Sequence, residues 1–111
     1  MKIKTQDLSG LPLDWAVQEA LLKTLPQPEV GVLVHHIGYG KTVKPYSTAG
    51  DTVIEIMERE RISALFDAKA GLWQASTGPR GVGPTLRIAA CRCFVASKLG
   101  DEVDIPEELM K

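Results

Sequence analysis

Cys91 and Cys93 are the two thiols of the chain. Nucleophilic or redox work by either needs a lowered pKa and a base nearby. Two positions apart on a helix they project about 160° from one another, so they do not form a disulfide together. Their neighbours Ala89, Ala90, Phe94 and Val95 are apolar, which reads as an inert buried pair of thiols. His35 and His36 are adjacent, and on a strand adjacent side chains face opposite ways, so they do not hold one ion together. No Cys-x-x-Cys or His-x-x-x-His spacing occurs; neither a metal nor a cofactor is expected. No Gly-x-Ser-x-Gly elbow offers a serine nucleophile. Glu55, Glu58 and Glu60 read as a solvated helix face. The chemistry-bearing residues therefore lean away from catalysis without excluding it.

The loop 78–85 invites a phosphate test. A P-loop requires a lysine before the Ser/Thr that opens the helix, and Pro84 stands there. Free backbone N–H groups at a helix start, with arginines nearby, would still suit an anion. The candidate ligand residues are Arg80, Gly81, Gly83, Thr85 and Arg87. The competing expectation for 77–84 is a flexible connector. The run Gly38-Tyr39-Gly40-Lys41-Thr42 lacks P-loop spacing and reads as a hairpin turn.

These candidates depend on the elements that carry them. The stretch 83–100 reads as one helix, with Thr85 as N-cap, Gly100 as the left-handed stop and Lys98 in the last turn, where a cation suits the dipole. It is apolar nearly all round. Such a helix is enclosed on several sides or shared with a second chain. An earlier helix begins at Ser9-Gly10, with Pro12 in its first turn and Asp14 near its start, where a carboxylate suits the dipole. Leu13, Ala16, Val17, Ala20 and Leu21 form its stripe. Trp15 and Leu22 fall on the far side. Either another segment covers them or they are an apolar patch that binds a partner. A shorter helix carries Val53, Ile54, Ile56 and Met57 inward, with Glu55 and Arg59 spaced to pair. Residues 2–5 read as a short edge strand, 30–37 as the strongest strand, and 62–66 with 72–76 as a hairpin across 67–71.

At 111 residues the chain is expected to form a single domain, residues 1–111, with an acidic tail over 101–111. The expected fold class is α+β: a small antiparallel sheet packed against two main helices, with a shorter third helix. A net charge of -1 lacks the basic footprint of a nucleic-acid binder, although Lys41, Lys44, Arg80 and Arg87 could still converge. No signal peptide or membrane span is read, so the cytosol is the expected location.

Gly83-Pro84-Thr85 and the run 88–109, from Ile88-Ala89-Ala90-Cys91-Arg92-Cys93 to Glu107-Glu108-Leu109, resemble the C-terminal signature of the NinX-like family of small phage proteins. Leu13-Asp14-Trp15-Ala16-Val17 is similar to that family's N-terminal motif. Tyr46-Ser47-Thr48, with Ile56-Met57-Glu58-Arg59-Glu60, is similar to its central one. Where members tend to carry an Asp-Trp pair and a Gly-Gly-Pro run, this chain has Ala49-Gly50 and Val53-Ile54-Glu55. The resemblance implies a phage or prophage origin and no particular reaction. The expected function is that of an accessory protein that binds a host or phage protein or a second copy of itself. The alternative is a module that uses the loop 78–85 for an anion or nucleic acid.

Overall fold

The computed structural model describes residues 2–24, 46–48, 52–106 and 109. Strand β1, Lys2–Lys4, leads through a 3-10 turn, Thr5–Asp7, into helix α1, Gly10–Thr24. Helix α2, Thr52–Glu60, is followed by three strands: β2, Ser63–Asp67; β3, Leu72–Ser76; and β4, Arg80–Gly83. Helix α3, Leu86–Leu99, and strand β5, Glu102–Asp104, complete the order. The architecture is α+β, with three helices and two antiparallel sheets among the described residues. The strand expected at 30–37, with His35 and His36, the turn at 38–42 and Lys41 and Lys44 lie outside them.

Helix α3 is the centre of the packing. Thr85 caps it as expected, its hydroxyl accepting from the Ile88 amide at 3.1 Å, and Gly100 ends it with φ of 92°. Ala89, Ala90, Cys91, Cys93, Phe94, Val95 and Ala96 are all buried. The enclosure comes from several sides: β3 and β4 cover one flank, α1 another, and α2 packs against it as well. The stripe of α1 faces it, and Leu13, Ala16, Val17, Ala20 and Leu21 are buried. Each large side chain in that seam contributes roughly 1.5–3 kcal/mol through apolar burial. Lys98 reaches Glu60 at 2.8 Å and fixes the end of α2 to the end of α3. Arg59 Nε donates to Glu60 at 3.2 Å instead of pairing with Glu55.

Half of the flexible connector expected at 77–84 is instead strand, residues 80–83. β4 pairs with β3 and lies flat on α3. The reason lies in the glycines. A Cβ at Gly81 would overlap Ala89 O and Cys93 N, and one at Gly83 would come within 2.6 Å of Ile88 Cγ2. Glycine in a strand often marks close approach to another backbone.

The second sheet joins the ends of the described chain. Lys2 pairs with Asp104, Ile3 with Val103 and Lys4 with Glu102. Thr5 extends the seam: its amide donates to Asp101 O at 2.7 Å and its hydroxyl to Gly100 O at 2.6 Å. Val103 and Ile105 are buried against the core. The first part of the expected acidic tail is therefore an ordered strand.

Candidate functional site

The three-stranded sheet has the order β2-β3-β4, so β2 and β4 are its two edges. They are treated differently. At the β4 edge the Gln6 side chain takes the place of a neighbouring strand. Its Nε2 donates to Arg80 O at 2.6 Å and its Oε1 accepts from Val82 N at 3.0 Å. Arg92 ties the same edge to the N-terminal segment, donating from Nη1 to Val82 O at 2.6 Å and from Nε to Leu8 O at 2.9 Å.

No such guard stands at β2 among the described residues. Ser63, Ala64, Leu65 and Phe66 are all exposed. Leu65 is 70% exposed and Phe66 48%. Phe66 keeps one ring contact, with Trp73 across the hairpin, at a centroid distance of 5.3 Å and an interplanar angle of 55°. Exposed edges in natural proteins usually carry a lysine, a proline, a bulge or a cover. Ser63-Ala64-Leu65-Phe66 has neither residue. The sequence places this hairpin at 62–66 and 72–76, and in the structure β2 runs one residue later, Ser63–Asp67, with β3 at Leu72–Ser76. Alternation could not show that the strand lies at an edge, because strand order is a property of the whole sheet.

The residues expected to bind a ligand are divided. Arg80 is exposed and lines an open cleft of about 480 Å³ with Gln6, Leu72, Val82 and Arg92. Arg87 and Thr85 line a different pocket, about 280 Å³, at the start of α3 with Ser47, Thr48, Ile54, Leu86 and Ile88. Gly81 and Gly83 are buried within β4, where the sheet lies against α3. Of the residues expected to bind a partner, Trp15 is half-buried and packs on the core. Leu22 sits in α1, and its side chain is outside the described set.

A polar cluster lies inside the protein. Asp14, only 7% exposed, accepts from the Ser47 amide at 2.8 Å. Burial pushes its carboxyl above the usual range, against the opposing pull of its hydrogen bonds with Ser47. The carboxylate expected to serve the α1 dipole thus holds the 46–48 turn instead. Burial, followed by the neighbouring charge of Asp14, pushes the Cys91 thiol up to about 12 despite Arg87 and Arg92. Tyr46 is likewise pushed up to about 12, by burial first and then by Asp14 and Cys91. Cys93, also raised by burial, donates to Pro79 O at 3.4 Å. Both thiols therefore stay protonated at neutral pH, so they are poor nucleophiles.

Among the described residues no group of three His, Cys, Asp or Glu side chains could hold a metal ion. Among them, too, no helix is long and apolar enough to cross a membrane. The family described as Bacteriophage P22, NinX matches residues 4–98. No curated protein matches the chain.

Proposed function

The chain belongs to the bacteriophage P22 NinX family, and from that premise we propose a phage- or prophage-encoded accessory protein that acts by binding another protein. The docking surface is the outer edge of β2 with Leu65 and Phe66, and the protein performs no catalysis of its own. Its place of action on this reading is the host cytoplasm. The observation that carries the reading is the apolar edge of β2, which has no guard among the described residues, set against the guarded edge of β4. Main-chain groups on such an edge give affinity to an added strand, and side-chain pockets give selectivity. Trp15, the earlier candidate, has most of its apolar surface engaged with the core and serves as support.

The test is an affinity capture from phage-infected lysate with tagged wild-type protein and with Phe66→Lys, each with and without nuclease. A stoichiometric protein that survives nuclease and is lost with Phe66→Lys supports docking at β2. Recovery that Phe66→Lys leaves intact, or that nuclease abolishes, overturns it.

One observation favours a second reading, the binding of a small anion. The pocket at the start of α3 brings Thr85 and Arg87 together with Thr48. On that reading a phosphorylated metabolite protects the pocket, and Arg87→Met removes the protection. Calorimetric titration with inorganic phosphate that shows no heat in either protein counts against it.

A further inference from the structure

The bonds around the sheet fix which backbone groups of β2 face outward. Gln6 satisfies Arg80 O and Val82 N from the outer side of β4. In an antiparallel ladder outward and inward residues alternate. Gly81 and Gly83 therefore bond inward, to Ala75 and Trp73 of β3. The groups of Leu72, Gln74 and Ser76 then face β2, where they meet Asp67, Leu65 and Ser63. This leaves the N–H and C=O groups of Ala64 and Phe66 on the open edge, whereas the Ile62 amide before them already donates to Met57 O at 2.9 Å.

Resting on the reading of that edge as the docking surface, we propose that its occupant is a second copy of this chain, with β2 pairing antiparallel to β2 about a two-fold axis through Ala64. In this register Ala64 faces Ala64 of the second copy, and Ile62 faces Phe66 in both directions. The N–H and C=O groups of the two Ala64 residues then bond to each other, and the Phe66 N–H of each copy meets the Ile62 C=O of the other. The two three-stranded sheets become one continuous sheet, with both α3 helices on the same side. Such a pairing is isologous and closes on itself.

Charge selects the register. With the axis at Ala64, Arg61 stands across from Asp67 of the second copy, twice over. Arg61 is the exposed residue with φ of 55° that turns the chain from α2 into β2. Asp67 uses Oδ1 to accept from the Lys69 and Ala70 amides, at 3.0 and 3.2 Å, and its second oxygen remains to receive a guanidinium. Moving the axis by one residue to Leu65 keeps outward groups opposite outward groups. It also sets Arg61 against Lys69, a like-charge pair that is unfavourable across a ladder. The Ala64 register further brings the two Leu65 side chains, each 70% exposed alone, into diagonal contact on the outer face. Phe66 comes to lie beside Ile62 of the other copy.

Cysteine scanning reads the register directly. Opposed residues of a hydrogen-bonded antiparallel pair have Cα atoms about 5.5 Å apart, within disulfide reach. Ser63→Cys, Ala64→Cys and Leu65→Cys are compared under mild oxidation on non-reducing gels, with the mass of the unoxidised wild-type protein measured by sedimentation equilibrium. Cys91 and Cys93 are buried and do not compete. The expected result is a wild-type dimer in which Ala64→Cys cross-links at least tenfold faster than the other two. Ala64→Pro, which removes the central outward donor, is expected to be monomeric with an unchanged circular-dichroism spectrum. Fastest cross-linking at 65 or 63 overturns the proposed register. A wild-type monomer whose captured lysate protein is still lost with Phe66→Lys overturns self-pairing and leaves the docking edge standing. A wild-type monomer whose capture Phe66→Lys does not affect overturns both.

Discussion

Asp14 sets the strongest expectations for a single residue. Replacing it by alanine leaves the buried Ser47 amide without its acceptor, a change that costs about 1–3 kcal/mol; chemical denaturation of Asp14→Ala measures it. Asparagine separates charge from hydrogen bonding, since its carbonyl can still accept from Ser47. The Asp14 pKa is raised in the fold, so the folded state holds this proton more tightly than the unfolded chain. That contribution is fully present below the ordinary value of 3.8 and is lost as pH rises through the folded value. Asp14→Asn should therefore melt above wild type at pH 7, with the gap closing as the pH approaches 3.8; thermal melts across that range check it. Cys91 gives a third expectation. Its thiol is buried and raised to about 12, so labelling by a thiol reagent should follow global opening and accelerate only as denaturant approaches the unfolding midpoint. The sequence disclosed that the cysteines are buried, because apolar neighbours on the same helix show it. It did not disclose Asp14, because the partner at Ser47 is 33 positions away and only the tertiary fold joins them.

Among the elements, what could be read from the sequence is what is local. Thr85, Lys98 and Gly100 marked α3, and the stripe on α1 marked its buried side, because caps and helical periodicity act within a few residues. β4 was hidden for the opposite reason. Gly81 and Gly83 weaken a strand in isolation, yet here they permit its contact with α3. Gly81→Ala should consequently destabilise the protein by about 1–3 kcal/mol, as overpacking does, although alanine elsewhere relieves backbone entropy; urea titration distinguishes the two outcomes. Removing the cap with Thr85→Ala should cost about 1 kcal/mol. Gln6 belongs at this scale too, since one side chain stands in for a strand. Gln6→Ala strips both bonds from the β4 edge, and hydrogen exchange at the Val82 amide should accelerate with little change at β2.

At the scale of the whole molecule, α3 joins what would otherwise be separate layers: the three-stranded sheet, α1 and α2 all rest on it. Family membership over residues 4–98 agrees with the resemblance, and the α+β fold agrees with the helices and strands read along the chain, whereas the candidate binding edge rests on strand order and was beyond the reach of pattern. The β1–β5 sheet has a consequence in time. Among the described residues Lys2–Lys4 pairs with Glu102–Asp104 alone, and that strand leaves the ribosome almost a hundred residues later. At about 5–20 residues per second, the N-terminal strand waits roughly five to twenty seconds for its partner. For that interval Thr5, Leu8 and the inner face of α1 lack the surfaces that bury them. The protein therefore closes its core only once residues 102–104 have emerged, and nascent chains stalled before residue 102 should recruit chaperones more strongly than the released chain.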